Sequence, residues 1–489
     1  MNLPVEKVLP DNMFWKYFLL ICSIPHPSGH EERLRDVLIA EAEKHGLTCR
    51  VDKAGNLAID RAAAANCEDL PVIIMQAHLD MVPQAADGVE FDFLRDSVQP
   101  VVADGWISTG NRTTLGADDG TGVALAMELL TDKTLQCGAL RGVFTVCEET
   151  GLGGAEDIAP EFLAADYLIN LDSDQPFVVG CAGGARFDGS RQFASQQPLA
   201  DNVPLKITLN GMHGGHSGED IHKNVGSAVK VMGQFLQEIS AKGFMLASVD
   251  AGTLHNAIAR SAGVFGTLPE CAVPAVQTLA GKYSEQLNSE LIPAAGEKIR
   301  LTVEVAGAVP PHVLTNEAQN TLLAVWNALP HGLLKTTAAG DSQTSCNLAV
   351  LQGKASEKWS FTLLARSIYN EERDEVVKLG MDLLTEHGFA AKITGAYSSW
   401  SPRWESPFLE YACQTCEKIS GKAAQKTVIH GGLEPGMFCQ INPRLDMISF
   451  APRTLALHSP QERMEISSAE EMRELLRALV ENIRKVKRS

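Results

Sequence analysis

The stretch "PVIIMQAHLD", residues 71–80, decides the fold class of this protein. Its continuous apolar run is typical of a strand buried on both faces, and two polar residues, His78 and Asp80, come at its end. Strand-like and helix-like stretches alternate on both sides of it. Further strands are predicted in "GVFTVCEE" (142–149), "YLINLD" (167–172) and "RLDMISFAP" (444–452), and helices in "SGHEERLRDVLIAEAEKHGL" (28–47) and "GTGVALAMELLTDK" (120–133). This alternation predicts an α/β domain with helices around a sheet.

The helix predicted in residues 28–47 carries signals for both of its ends. Ser28 and Glu31 have the spacing of a capping box, in which each side chain would bond a free backbone N–H of the first turn. Gly46 follows the last residue with helical periodicity. We therefore expect Ser28 to cap this helix.

The pattern changes after the first 185 residues and changes back near residue 400. In between, "PLKITLNGMHGGHSG" (204–218) predicts a strand with a glycine-rich turn, and "NVGSAVKVMGQFLQEIS" (224–240) predicts an amphipathic helix. No long internal repeat is visible. We predict a discontinuous first domain, residues 1–185 and 400–489, with residues 186–399 inserted as a second domain.

Composition excludes several classes of protein. The 489 residues carry a formal net charge of −18, which argues against binding to nucleic acids or to anionic membranes. No apolar run reaches the about 18 residues of a membrane span. The N-terminal "MFWKYFLLICSIPHP" (13–27) has no basic start and no cleavage site, so it predicts an amphipathic helix rather than a signal peptide. We expect a cytoplasmic protein.

The cysteines support the same compartment. There are eleven, an odd number scattered over a long chain, so a disulfide framework is not indicated. Cys413 and Cys416 have CxxC spacing but no second pair and no nearby histidine. We interpret them as part of a helix face rather than as a zinc or redox site.

Metal-type ligands follow four of the predicted strands. His78 ends the first, Glu148 and Glu149 end the second, Asp172 ends the third, and His458 comes one loop after the fourth. Sites in open α/β sheets form at the carboxyl ends of strands. Imidazole and carboxylate groups suit zinc, with manganese or cobalt as alternatives. A further pair, Asp118 and Asp119, stands before a helix, and the second of these also suits a helix N-cap.

The adjacent carboxylates of Glu148 and Glu149 need an explanation, because two neighbouring anions after a buried strand repel each other. Two divalent cations would neutralise three carboxylate ligands and a bridging hydroxide. One glutamate would then bind a cation while its neighbour faces the water as general base.

Together, these stretches resemble the aminoacyl-histidine dipeptidases, also called Xaa-His or cytosol non-specific dipeptidases, of the dizinc superfamily that includes aminoacylases and carnosinases. The resemblance covers nearly the whole chain. It implies a zinc-peptidase-like catalytic domain with a mixed central sheet, plus an inserted α+β lid or dimerisation domain. It lies in "ICSIPHPSGHEE", "QAHLDMVPQ", "TTLGADDGTGVA", "EETGLGGA", "NLDSD", "GCAGG", "GGHSGEDIH", "NAI", "HGGLEPG" and "HSPQE".

The resemblance also implies roles for the residues of the metal centre. Asp118, rather than Asp119, would bridge two cations. Asp80 would orient an imidazole ligand, and Glu148 would be the general base. The expected metal ligands are His78, Asp118, Glu149, Asp172 and His458.

Residues outside the metal centre are expected to bind substrate. The resemblance implies that His216 stabilises the oxyanion, reaching across a homodimer. We interpret His213, in the same loop, as incidental. Asn256 and Arg366 would bind the substrate's carboxylate, since a guanidinium suits a free carboxylate. Arg366 could instead be an ordinary ion-paired arginine. Glu434 would meet the substrate's amino group.

The expected activity is metal-dependent hydrolysis of unblocked dipeptides, preferring Xaa-His, with two zinc ions that cobalt or manganese can replace. An aminoacylase-type hydrolase of N-acyl amino acids and a non-catalytic binding protein of the same fold are the alternatives. Two departures from the family pattern affect specificity. His255 stands where relatives have arginine, and Pro435 stands where they have a small residue.

Overall fold

The computed structural model describes residues 5–173 and 177–483. Within these ranges the α-helices are α1 (Met13–Cys22), α2 (Glu32–Lys44), α3 (Ala117–Thr131), α4 (Gly153–Glu156), α5 (Ala228–Ser240), α6 (Val273–Glu290), α7 (Asn316–Ala328), α8 (Asn370–Glu386), α9 (Pro407–Ser420), α10 (Pro435–Ile441) and α11 (Ile466–Asn482). None of these helices is both long and apolar enough to cross a membrane.

The strands of the same ranges are β1 (Thr48–Val51), β2 (Leu57–Arg61), β3 (Ile73–His78), β4 (Val101–Ala103), β5 (Trp106–Ser108), β6 (Leu140–Thr145), β7 (Tyr167–Asn170), β8 (Val178–Cys181), β9 (Gly183–Gln192), β10 (Ser195–Gln196), β11 (Asn202–Asn210), β12 (Gly215–His216), β13 (Met245–Ala251), β14 (Ala257–Ile258), β15 (Ala262–Pro269), β16 (Arg300–Val305), β17 (Val313–Leu314), β18 (Gly332–Thr336), β19 (Ser342–Lys354), β20 (Lys358–Ser367), β21 (Ala390–Tyr397), β22 (Thr427–Ile429), β23 (Asp446–Ser449), β24 (Thr454–Leu455) and β25 (Arg463–Glu465).

The capping box predicted for α2 is wrong. The helix begins after Glu31, whose side chain makes no capping bond. Ser28 Oγ instead donates to Asp80 Oδ2 at 2.8 Å, and Glu31 Oε1 accepts from the backbone N–H of Gly29 at 2.8 Å. Glu31 Oε1 also accepts from the backbone N–H of Cys147 at 3.0 Å. Distant residues thus contact both side chains that the local pattern assigns to the helix terminus. The N-terminal amphipathic helix is present as α1, and Cys413 and Cys416 lie on α9, as predicted.

The chain divides into two compact units. The first contains the described residues of Met1–Cys181, Trp400–Val428 and Leu433–Ser489, and the second contains Ala182–Ser399 and Ile429–Gly432. The four residues 429–432 therefore belong to the second unit although the chain on both sides of them belongs to the first.

A mixed sheet of eight strands forms the centre of the first unit in its described part. Its order is β1-β2-β6-β3-β7-β23-β8-β22. The four strands β6, β3, β7 and β23 are parallel neighbours, whereas β1–β2, β2–β6 and β23–β8 are antiparallel pairs. Every residue of β3 is buried, because α3 covers the sheet beside it. The predicted α/β domain with a mixed central sheet is confirmed.

A smaller sheet in the first unit has the order β24-β25-β5-β4. Its β24 and β25 form an antiparallel pair, and the segment that connects them, residues 456–462, contains His458 and Glu462. This connection, defined here as the 456–462 loop, carries the last of the predicted metal ligands.

The second unit is built on an antiparallel sheet with helices, as the predicted α+β class requires. Its described strands follow the order β16-β11-β15-β13-β19-β20-β9-β21, and β18 pairs with β19. The two halves of this sheet have the same topology. Along the chain, the elements of one half are β11, α5, β13, β15, α6 and β16, and they correspond in that order to β9, α7, β19, β20, α8 and β21 of the other half. Adjacent β13 and β19 join the two halves. The sequence showed no repeat, so the duplication is one of topology.

Candidate active site

Four neighbouring strands of the first unit bring the predicted ligands to one edge of the sheet. β3 ends at His78, which lies opposite Thr145, the last residue of β6. Asn170, the last residue of β7, lies opposite both Gln76 of β3 and Ser449 of β23. Because these strands are parallel and in register, the residues that follow them leave the sheet at the same edge.

Asp118 lies between the two predicted histidine ligands. Its Oδ1 is 2.9 Å from His78 Nε2, and its Oδ2 is 3.3 Å from His458 Nε2. Each histidine also has a second carboxylate nearby: Asp172 Oδ1 is 3.8 Å from His78 Nε2, and Glu149 Oε1 is 2.9 Å from His458 Nε2. We define His78, Asp118 and Asp172 as the buried half-site, and His458, Asp118 and Glu149 as the exposed half-site.

Asp119 has a different environment from Asp118, although the two are adjacent and joined by a cis peptide bond. Its Oδ1 accepts from the backbone N–H of Gly122 at 3.0 Å, as an N-cap does, and its Oδ2 accepts from that of His78 at 3.2 Å. Ligand atoms of Asp119, His78 and Asp172 nevertheless lie within 4.8 Å of one another. Both Asp119 oxygens are thus engaged by backbone donors, whereas both Asp118 oxygens face imidazoles.

Asp80 organises the segment after β6. Its Oδ1 accepts from the backbone N–H of Glu148 at 3.0 Å, and its Oδ2 accepts from that of Glu149 at 3.2 Å. Its Oδ1 is also 3.4 Å from His78 Nδ1, which lies 2.9 Å from the Asp80 carbonyl oxygen. Burial opposes ionisation of Asp80, but the hydrogen bond to His78 outweighs it and holds the pKa of Asp80 at about 2. The carboxylate therefore orients both an imidazole and the paired glutamates.

The side chain of Glu148 is surrounded by like charges. Burial raises its pKa to about 8; the charge of His78 opposes this, and Glu434, Glu149 and Asp118 add to it. Burial likewise raises the pKa of Asp172 well above its usual range. Such a concentration of buried acids is unfavourable unless positive charge is nearby.

Only histidines supply positive charge to this cluster within the described chain. No lysine or arginine there forms an ion pair with Asp118, Glu148, Glu149 or Asp172. Hydrogen bonds to Asp118 and Glu149 raise the pKa of His458 to about 10. For His78, burial disfavours the charged ring, but the bonds to Asp118 and Asp80 outweigh it and raise the pKa. The histidines thus hold protons where cations would bind, and the donor set fits two divalent ions of the zinc type.

Glu434 is a fully buried acid in the same unit. Its Oε2 accepts from Gln76 Nε2 at 2.5 Å and from Thr145 Oγ1 at 2.8 Å, and its Oε1 has no partner among the described residues. Gln76 Oε1 in turn accepts from Asn170 Nδ2 at 2.6 Å. Burial raises the pKa of Glu434 to about 7.

Pro435, one of the departures from the family pattern, is the first residue of α10, where a missing N–H has no cost.

The remaining predicted residues lie together in the second unit. Arg366 is buried; its Nε donates to Ser217 Oγ at 3.2 Å and its Nη1 to Tyr397 Oη at 2.6 Å. The backbone N–H of Ser217 donates to the carbonyl of Asn256 at 2.8 Å. No carboxylate of the described chain pairs with Arg366, so it is not an ordinary ion-paired arginine. Strands β12 and β14 pair His216 with Ala257, next to Asn256.

The surroundings of His216 disfavour the charged form of its ring. Burial lowers its pKa, and the positive charge of Arg366 lowers it further. Its Nδ1 is buried and lacks a hydrogen-bond partner within the described residues. His255, the other departure, has its pKa lowered by burial and then by Arg186 and Arg366, and its carbonyl accepts from Asn347 Nδ2 at 3.2 Å.

Sequence reasoning overlooked His430. Its Nε2 lies 2.7 Å from Ser345 Oγ, and burial followed by the charge of Arg366 lowers its pKa to about 3. It belongs to residues 429–432, the segment that joins the second unit. The stretch "HGGLEPG" begins with this residue, but its position in the other unit could not be deduced from local pattern.

Comparison with known proteins agrees with this geometry. The sequence pattern of "Peptidase family M20/M25/M40" matches residues 74–482. The chain belongs to this peptidase family. It is 34% identical over 479 residues to the Cytosol non-specific dipeptidase of Escherichia coli strain K12, a match that covers 96% of this chain and 97% of that relative. The resemblance seen in the motifs is confirmed, as is the prediction of a metallopeptidase.

Two solved structures have the same fold. The aminoacylhistidine dipeptidase of Vibrio alginolyticus is 32% identical, with a TM-score of 0.87 over 97% of both chains. The aminopeptidase PepT of Bacillus cereus matches with a TM-score of 0.62 over 97% of this chain and 98% of its own, at 17% identity. At that identity the second match supports the fold alone.

Proposed function

We propose that this M20 peptidase hydrolyses the peptide bond of unblocked dipeptides, with preference for Xaa-His, using two zinc ions that cobalt or manganese can replace. One observation carries the proposal: Asp118 lies between two half-sites, each with its own histidine and its own second carboxylate. The names of the relatives from Escherichia coli and Vibrio alginolyticus support the substrate class.

The ligand set consists of His78, Asp118, Glu149, Asp172 and His458. Asp118 would contribute to both half-sites, and Asp80 orients His78 through the ring nitrogen that does not face Asp118. When bound, divalent cations supply charge neutralisation, polarise the scissile carbonyl and lower the pKa of water. The acidic surroundings of Glu148 support the presence of cations at these ligands, because so many buried carboxylates are favourable only with positive charge nearby.

Glu148 acts as the general base in this proposal. Its carboxylate takes a proton from the attacking water and delivers it to the nitrogen of the leaving amine. The bond from the Glu148 backbone N–H to Asp80 fixes the segment, while no hydrogen bond holds the Glu148 carboxylate among the described residues. A base in this position needs a fixed backbone and a free carboxylate.

Groups at both ends of a dipeptide would be recognised by charge. Arg366 has no carboxylate partner in the described chain and retains guanidinium donors for a free C-terminal carboxylate, with Asn256 beside its partner Ser217. His216 would donate to the oxyanion. Glu434 Oε1, which is buried and has no hydrogen-bond partner among the described residues, suits the free amino group. An N-acyl amino acid lacks that amino group, so the dipeptide is favoured over the aminoacylase alternative.

The cellular context follows from further features. The ten cysteines other than Cys67 are free thiols in the described ranges, which supports a reducing compartment and the predicted cytoplasmic location. The homodimer implied by the family resemblance stays a prediction.

The deciding experiment is hydrolysis of free Xaa-His dipeptides, carnosine included, by purified protein after chelation and again after addition of zinc, manganese or cobalt. We expect cleavage that disappears with chelator and returns with metal. N-acetyl amino acids serve as the matched control. Cleavage of these but not of free dipeptides would replace the proposal with the aminoacylase alternative.

A further inference from the structure

Glu462 is a buried carboxylate that does not face the predicted cations. It lies in the 456–462 loop, four residues after His458, and is 2% exposed. Both of its oxygens accept hydrogen bonds from one distant backbone segment. The donors are the N–H groups of Leu115 (2.7 Å) and Gly116 (3.2 Å) to Oε2, and of Ala117 (2.8 Å) and Asp118 (3.4 Å) to Oε1.

The segment that Glu462 binds ends at Asp118, the carboxylate shared by both half-sites. Gly116 has a left-handed backbone, φ +72°, which turns successive N–H groups toward one point and forms a concave anion site. A carboxylate that receives several such bonds is held more strongly than one in a neutral pair. Glu462 therefore fixes the backbone from which the Asp118 side chain extends.

The same residue also fixes the loop that carries His458. This loop is exposed at His458, whose side chain is 51% accessible and whose backbone has φ +59°. Its neighbours in the small sheet, β24 and β25, contribute only two paired positions. Glu462 is thus a direct connection between the loop of His458 and the segment of Asp118, which are about 340 residues apart in sequence.

We propose that Glu462 is a positioning residue that sets the distance between Asp118 and His458 and thereby the metal affinity of the exposed half-site. The inference rests on the proposed metal centre but not on the identity of the substrate. The buried half-site shares Asp118 but keeps His78, which the central sheet and Asp80 hold in place without Glu462. In the exposed half-site, both Asp118 and the loop of His458 depend on Glu462. Loss of Glu462 therefore affects the two half-sites unequally.

The test compares Glu462→Gln with Glu465→Gln. The first change replaces one acceptor oxygen with an NH₂ group that faces backbone donors, so the segment loses half of its anchor. Glu465 is its matched control. It is a glutamate three residues further on, and its side chain accepts from Arg453 Nη1 at 3.4 Å rather than from the segment before Asp118. The readout is zinc affinity and stoichiometry, measured by competition with a chromophoric chelator, together with the melting temperature of the metal-free protein.

We expect Glu462→Gln to weaken one of two zinc ions by about 10–100-fold, the range for groups that orient ligands, and to weaken the other ion much less. Glu465→Gln should bind both ions as the wild type does. Excess zinc should restore turnover of the variant. Equal loss of both ions, or two ions bound as tightly as in the wild type, would overturn the proposal.

Should Glu462→Gln not fold, Glu462→Asp keeps the charge but shortens the reach, and the same one-site loss is expected. Absence of dipeptide cleavage would overturn the proposed function alone, since zinc affinity does not depend on substrate.

Discussion

The buried and exposed half-sites share Asp118 but hold their histidines differently. His78 ends β3 in the middle of the central sheet, with 1% of its side chain exposed and its second ring nitrogen beside Asp80. His458 lies on the 456–462 loop, with 51% of its side chain exposed. Among its described contacts, the ring of His458 approaches only the carboxylates of Asp118 and Glu149. One half-site is therefore part of the sheet, whereas the other depends on a loop and on what anchors it.

This difference indicates that two cations bound here have unequal surroundings. In the buried half-site, little solvent competes for the ligand atoms, and the imidazole is oriented before a cation binds. In the exposed half-site, water reaches His458 and the loop must be ordered by its own bonds. We expect tight, slowly exchanging binding in the first and weaker binding in the second.

The largest expected effect comes from Glu148, which belongs to neither half-site. Glu148→Gln should lower turnover by about 10²–10⁴-fold, because proton transfer by a positioned base contributes that much. Both half-sites keep all of their ligands, so two metal ions should remain. Metal content by elemental analysis and turnover of a dipeptide are the measurements.

The neighbouring residue provides the control for Glu148. Glu149→Gln makes the same chemical change one residue later but removes a ligand of the exposed half-site, so one ion should be lost along with activity. A Glu148→Gln variant that keeps wild-type turnover, or that loses a metal ion, would show that the roles of the two glutamates have been misassigned.

A smaller effect is expected on metal retention, which should differ between the buried and the exposed half-site. His458→Ala should bind one ion and keep it through dialysis, because the buried half-site is intact. In the wild type, a limiting amount of chelator should remove about half of the metal quickly and the rest slowly. Stoichiometry after dialysis and the time course of metal release report these outcomes.

His78→Ala is the matched variant for this measurement. It removes the histidine of the buried half-site, and it should leave at most one weakly held ion. If His458→Ala and His78→Ala release metal at the same rate, the two half-sites are equivalent despite their difference in exposure.

Much of this site could be predicted from sequence because its ligands follow strands. Periodicity identified β3, β6, β7 and β23, and the rule that parallel strands end at one edge placed His78, Glu148, Glu149 and Asp172 near one another. The choice of Asp118 over Asp119 came from family resemblance. Contacts show why the two differ, since backbone donors engage both Asp119 oxygens.

The supporting residues could not be predicted in the same way. Glu462 and Glu31 look like ordinary surface glutamates in sequence, and only long-range folding brings Glu462 to the segment before α3 and Glu31 Oε1 to the backbone N–H of Cys147 at 3.0 Å. Ser28 was assigned to a helix cap for the same reason: its partner, Asp80, is distant in sequence. Local pattern finds groups at strand ends but not the residues that anchor them.

The smallest of the expected effects concerns the stability of the metal-free protein. Burial raises the pKa of Glu148 to about 8 and that of Glu434 to about 7. An acid with a higher pKa in the folded state keeps its proton on folding between the unfolded and folded pKa values. The free energy of unfolding should therefore fall as pH rises from about 5 toward 8, by about 1 kcal/mol per pH unit for one such group.

Bound cations should remove or reverse this pH dependence of the free energy of unfolding, because they stabilise the ionised carboxylates that protons otherwise neutralise. The melting temperature of the zinc-loaded protein should thus stay level or rise over the same pH range, and the gap between zinc-loaded and metal-free protein should widen with pH. Glu148→Gln removes one titrating carboxyl and should make the metal-free decline shallower. If the stability of the metal-free wild type and of the variant falls equally with pH, Glu148 does not lie among like charges in the metal-free protein. The position of its carboxylate would then not be explained by two neighbouring cation sites.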